Sequence, residues 1–308
     1  MWRVALLVVL LALPAAASAD PKGWEAVLTE VRHGPHGGIL VTRAGQSLPK
    51  PAEPLMMLNP DDQVTARADA RAVVLFRGGM TQTVTLASSP FMVRWSGSEP
   101  SGALKQTVLR LFGIFSSASI PQAYVSLGAR SGGATSKTPA TVLRFLSSEA
   151  LRLDWRAGLS GTHEVRITGE DGLDWRSPAA MPPFSYPPSA PRLSPSVFYE
   201  VTVRSATGQV VEHRIVEVVP PAERVTVGLE LAAIDGSDAP APTKALMRAG
   251  YLASLRLLPD ARRELETAIT ARPAEPSLRM FLGRVYESLG RSDLADAQLE
   301  LARALTKR

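Results

Sequence analysis

Few residues in this chain are placed to do chemistry. Arg32-His33-Gly-Pro-His36-Gly-Gly sets two imidazoles three positions apart, but no third ligand follows at strand or helix spacing. A Gly-rich loop with two His more often carries solvated side chains, so no metal is assigned to it. His163 stands beside Glu164, and His213 beside Glu212, within segments of strand pattern. Neighbours on a strand point to opposite faces, so neither couple can act as an acid–base pair. Asp61-Asp62 and Glu170-Asp171-Gly172 are turn formers first. The chain shows no Gly-x-Ser-x-Gly elbow, phosphate-cradling Gly loop or His-Glu-x-x-His helix. It has no Cys, which excludes a disulfide scaffold, a thiolate zinc site, an iron–sulfur cluster and a Cys nucleophile. The reading is therefore non-catalytic, with no cofactor and no metal.

What such a chain can do depends on its elements. Its 308 residues are 45% apolar, enough for two or three domains that each bury a core. The first segment, MWRVALLVVLLALPAAASAD, has a basic Arg3, ten apolar residues from Val4 to Leu13, and a small-x-small site at Ala17-Ser18-Ala19. This is the pattern of a signal peptide over 1–19, too short to span a bilayer. Without a following Cys it predicts no lipoprotein anchor. An exported, periplasmic protein with no membrane span after cleavage is expected. Cleavage leaves 33 basic and 29 acidic residues, and the excess falls wholly after Ala239, where 12 basic residues meet 8 acidic ones. That is the signature of solvated helix faces, and nucleic acid is not an expected partner.

Residues 20–100 alternate in short apolar runs broken by Gly, Pro and Asp, which predicts an all-β domain. Its pieces are Gly38–Thr42, Leu58-Asn-Pro-Asp61-Asp62-Gln-Val64, Ala72–Gly79 and Thr83–Leu86. Their order resembles the periplasmic FecR-type domain, although the turn lacks the Gly of that family's Leu-x-x-Gly-Asp. Residues 101–139 form a joint. Leu104, Val108, Leu111 and Phe115 predict a short helix packed between two β-domains, with a flexible linker after it. A docking or membrane-surface helix is the competing reading, but only Lys105 and Arg110 supply positive charge.

Over 140–234 the alternation returns, with Leu151, Leu153 and Trp155 on one strand and Tyr199, Val201 and Val203 on another. Leu193, Pro195, Tyr199 and Val201 give a Leu-x-Pro-x-x-x-Tyr-x-Val spacing that, with Trp155, resembles a fibronectin type III domain. The resemblance implies a β-sandwich in which both aromatics are structural. The Pro-rich run from Ser177 to Ser196 reads as an inflexible connector at the sandwich edge. Residues 235–242 read as a second linker.

A shift of 34 residues aligns the tail with itself: Pro242 with Pro276, Leu255 with Leu289, Ala261 with Ala295, Leu265 with Leu299 and Ala268 with Ala302. The period and its packing residues resemble two tetratricopeptide hairpins over 243–308. That resemblance implies an inner face lined by Thr243, Leu246, Gly250, Ala253 and Ser254, then Ser277, Met280, Arg284, Glu287 and Ser288. Arg284 and Glu287 are its polar readers. Leu294, Leu301 and Leu305 fall on a separate stripe of the last helix, which needs cover from the sandwich, a second copy or a partner.

The expected fold is thus multidomain and mainly β, with a C-terminal helical pair. The expected role is a scaffold or accessory protein that binds a protein partner of the cell envelope. FecR-type relay to a sigma factor needs a membrane span and is not carried over. The alternative is cell-wall or polysaccharide binding, with Trp24, Trp95, Trp175 and Tyr124 as stacking residues.

Overall fold

The computed structural model describes residues 24–94, 103–116, 120, 124–125, 140–148, 151–153, 155 and 161–306. The leader over 1–19, Trp95 and the joint from Ser131 to Thr138 lie outside the described residues. Helices and strands share the described chain, so the fold is mixed α and β, not mainly β.

The first unit contains β1 (Ala26–Arg32), β2 (Ile39–Thr42), β3 (Lys50–Pro51), β4 (Met57–Leu58), β5 (Gln63–Ala66), β6 (Arg71–Phe76), β7 (Thr81–Val84) and β8 (Phe91–Met92). They pair into two four-stranded sheets, ordered β4-β1-β6-β7 and β3-β2-β5-β8. Ala26, Leu28, Ile39, Val41, Val64 and Val74 share one core across both sheets. β1 is buried on both faces, because Val27 belongs to a second, larger core that includes the helices. Asp62 is buried and accepts from the Asn59 and Ala44 N–H groups at 2.8 and 3.0 Å and from Arg43 at 2.6 Å. Beside it Asp61 holds a left-handed φ of 63°. Asp favours this conformation more than most non-Gly residues.

The second unit contains β9 (Tyr124–Val125), β10 (Ala140–Phe145), β11 (Arg152–Leu153), β12 (His163–Gly169), β13 (Asp174–Ala180), β14 (Phe184–Ser185), β15 (Phe198–Arg204) and β16 (Val210–Val218). Six strands form one sheet in the order β13-β12-β15-β16-β10-β9, and β11 pairs with β14. β10 runs parallel to β16, while the other pairs are antiparallel. Trp155 and Tyr199 are both buried in its core. The Tyr199 hydroxyl accepts from the Ser194 N–H at 2.7 Å and donates to Asp171 at 2.6 Å. Gly169 lets the Tyr199 ring lie where a Cβ would sit 2.4 Å from it. Pro178 is accommodated because β13 is an edge strand.

The helices are α1 (Ala103–Ser116), α2 (Pro221–Asp235), α3 (Ala241–Ser254), α4 (Leu258–Ala271), α5 (Pro276–Ser288) and α6 (Ser292–Thr306). Pro at the first or second position of α2 to α5 presets the helical φ where its missing N–H has no role. The turns closing α3 and α5 match: Arg256 and Gly290, 34 positions apart, hold φ of 63° and 76°. Leu257 N–H then bonds Leu252 O, and Arg291 N–H bonds Tyr286 O, at 2.9 and 2.8 Å.

Two expectations are corrected. The strands of the second unit end at Val218, and residues 221–234, read as part of a sandwich, belong to α2 (Pro221–Asp235). Val225, Val227, Leu229 and Leu231 alternate like a strand, but Pro221 opens a helix that buries Val227 and Ile234, seven apart on one face. Helix α1 does not sit between two β-domains alone: it packs on α3, where Leu111 fills the space above Gly250.

Candidate functional site

The inner face of α3 and α5 is the place where sequence spacing concentrated polar readers, and the chain itself covers it. Helix α1 crosses the face from one hairpin to the other. A Cβ on Gly250 would lie 1.9 Å from Leu111 Cδ1, so any larger residue there would displace the Leu111 side chain. One turn later along α1, Phe115 packs edge-to-face on Phe281, centroids 5.1 Å apart. Arg284, at the repeat position of Gly250, donates to Phe115 O at 3.2 Å. The last carbonyls of a helix lack partners within it and attract a cation. Helix α1 has no basic residue in its own last turn, so Arg284 supplies that charge from α5. Burial pushes the Arg284 guanidinium below its ordinary pKa, against the opposing effect of Glu287. Glu287 itself is exposed.

β1 covers the other end of the same face. Thr29 and Thr243 hydroxyls meet at 2.8 Å, and Thr243 donates to Glu30 at 3.3 Å. Ser277, the repeat equivalent of Thr243, donates to Glu275 at 3.1 Å, and Arg32 reaches Glu275 at 3.3 Å. Glu30 and Glu275 are both buried. Burial, reinforced by the neighbouring Glu30, pushes the Glu275 carboxyl up to about 7. Ser277 and Arg32 oppose that rise without cancelling it, Arg32 being half in solvent.

The six-stranded sheet grips the helical hairpins from their turns. Arg144 on β10 donates to Leu255 O at 3.3 Å, and Arg214 on β16 donates to Leu289 O at 3.1 Å. These acceptors are 34 residues apart, so two adjacent parallel strands cap two successive repeats. Arg144 also pairs with Glu217 and Glu223 at 2.9 and 2.7 Å. Asp260, buried in the first turn of α4, accepts the Leu146 N–H at 3.0 Å.

The stripe on α6 divides: Leu294 packs half-buried against the shared core, Leu305 is half-buried, and Leu301 is 47% exposed. Sequence reasoning missed an open apolar pair, Val225 and Leu229 on α2, at 64% and 69% exposure. It also missed a cleft of about 700 Å³ between the first β unit and α5–α6, lined by His33, Glu53, Pro54, Met280, Leu299 and Arg303. No local pattern points to it, because its walls lie more than 200 residues apart in the chain.

The chemical candidates are not assembled. The Gly34 and Gly37 main chains bond each other across a tight turn, and His33 Nδ1 accepts the Ile39 N–H at 3.2 Å. His163 is buried edge-on to Trp155, while Glu164 on the opposite face is half-exposed. His213 pairs with Glu200 at 2.8 Å across β15–β16, and Glu212 pairs with Arg214. Among the described residues no three His, Asp or Glu side chains gather at metal-binding distance. The aromatic candidates are engaged in packing: Trp175 lies 5.0 Å from Tyr186 and 6.1 Å from Phe184, and Arg43 stacks on Trp24 at 5.9 Å. Trp95 and the Tyr124 side chain lie outside the described residues. Among the described residues no helix is long and apolar enough to cross a membrane. No protein-family model matches the chain, and no curated protein matches it.

Proposed function

We propose that this protein is a non-catalytic, exported scaffold that binds a protein partner of the cell envelope through its outer helical faces. One observation carries the reading: the inner face of the hairpins is filled by the chain's own α1 and β1, while Leu301 on α6 remains open. Filling the inner face makes the hairpins, the sandwich and the first β unit share one hydrophobic core. A body held that firmly presents its exposed surfaces in fixed register, which lowers the ordering cost of binding.

The three module resemblances support the same role. A tetratricopeptide pair is favoured by the matched turns at Arg256 and Gly290. A fibronectin-type sandwich is favoured by Trp155, the Tyr199 hydroxyl bond to Ser194 and a sheet separate from β11–β14. A FecR-type first unit is favoured by the tight turn at Asp61-Asp62 between β4 and β5, although Pro60 stands where that family has Gly.

The test is recovery of the full-length tagged protein from the envelope of its native host. A defined protein should co-purify in near-stoichiometric yield and be lost with Leu301→Asp, while the variant keeps its melting temperature. Retention on insoluble wall material, with no protein recovered, contradicts the reading and favours glycan binding.

A further inference from the structure

The junction between β1 and the ends of α3 and α5 buries two carboxylates with one half-solvated cation. Glu30 reaches the cluster from β1 and Glu275 from the position before α5; the Glu275 side chain is fully buried. The charged groups that act on Glu275 are Glu30 and Arg32 of β1; α3 contributes the neutral Thr243, and α5 the neutral Ser277. Ionising Glu275 there is costly, because burial penalises its charge and Glu30 lies close enough to repel it. Elsewhere the chain pairs its buried carboxylate more fully: Asp62 has Arg43 and two main-chain N–H donors. The Glu275 carboxyl has one hydroxyl and the rim guanidinium.

We propose that docking of the first β unit on the helices is proton-linked: the buried Glu275 carboxyl holds a proton when docked and releases it when the junction opens. The direction follows from the buried carboxyl. Glu275 titrates near 7 when docked and near the ordinary 4.5 when solvated. The docked state therefore binds the extra proton between those values. Docking is strongest below about pH 4.5, weakens as pH rises, and has lost this contribution above about 7. Between pH 5 and pH 8 the docking equilibrium falls about a hundredfold, because each pH unit between 5 and 7 removes roughly a factor of ten. The same junction separates the two walls of the cleft, since His33 follows Arg32 and Met280 lies one turn beyond Ser277. Opening it would widen that cleft.

The absence of Cys makes the test direct. Val27 is fully buried in the core that joins β1 to the helices. In Val27→Cys full-length protein, the thiol-labelling rate is measured from pH 5 to pH 8 and normalised to the denatured chain at each pH. A reporter in the sandwich core, Val201→Cys, follows global opening in parallel. Expected is a rise of about a hundredfold at position 27, little change at position 201, and a rise below threefold at position 27 once Glu275→Gln is added. Glu30→Gln should also flatten the rise, so the test survives if one variant fails to fold. Equal rises with and without both substitutions, no rise at position 27, or equal rises at 27 and 201 each overturn the proposal.

Discussion

Arg284 donates to the main-chain oxygen of Phe115 at 3.2 Å, across 169 positions of sequence. That bond closes the C-terminal end of α1 with a charge from α5. It converts the most distinctive polar residue of the inner face from a reader of partners into a fastener of the chain itself. Arg284→Ala is expected to lower stability by about 1.5–3 kcal/mol, the range for a hydrogen bond to a charged group. Equilibrium urea unfolding measures it, and an effect below about 0.5 kcal/mol would mean that solvent satisfies Phe115 O equally well.

The paired caps give a second expectation. Arg144 and Arg214 reach Leu255 O and Leu289 O from adjacent strands, so both hold the same interface. Arg144→Met also strands Glu217 and Glu223 and should cost more than Arg214→Met, about 2–4 kcal/mol against 1–2. Their double variant should cost less than the sum, because loosening one repeat weakens the other's docking. Strict additivity contradicts a shared interface.

Arg256 holds in the first hairpin the left-handed turn that Gly290 holds in the second. A side chain at that φ costs roughly 1–2 kcal/mol, so Arg256→Gly should raise stability by about 0.5–1 kcal/mol after the glycine's extra unfolded-state entropy. Thermal melting reads this directly; a decrease would show that the arginine side chain makes up for its strain.

In the core of the second β unit, Trp155→Ala should cost about 3–5 kcal/mol as a large-to-small core change. Tyr199→Phe should cost about 1–3 kcal/mol, because the Ser194 N–H and the Asp171 carboxylate lose their common partner. A Trp155→Ala protein that melts within a degree or two of the parent would remove the basis for this core.

Much of the architecture was legible because it is written locally. The 34-residue period located α3 to α6, and the alternation around Tyr199 located β15, while of the strand read through Leu151, Leu153 and Trp155 only β11 at Arg152–Leu153 is present among the described residues. What escaped was set by tertiary packing. The stretch from Val225 to Leu231 alternates like a strand, and only its burial at Val227 and Ile234 reveals a helix. Residues 235–242, read as a linker from their Gly, Ser and Pro content, are the end of α2, a fastened turn over 236–240 and the start of α3. Arg248 pairs with Asp235 at 2.6 Å, Ser237 bonds Ile234 O, and Ala239 is buried. Protease sites there should therefore be slow. The site was less legible than the fold: register marked Gly250 and Arg284 as inner-face positions, but nothing local shows that residues of α1 would occupy them.

With the inner helical surface already filled, partners are expected to meet the outer one. A photoreactive amino acid placed at Leu301, with Leu48 on the first β unit as an exposed control, tests this in intact cells of the native host. The expected result is one discrete protein adduct from position 301, absent from position 48. Adducts from Arg110 or Glu287 beside the inner face, with none from position 301, would contradict this and show that the face covered by α1 is the one partners use.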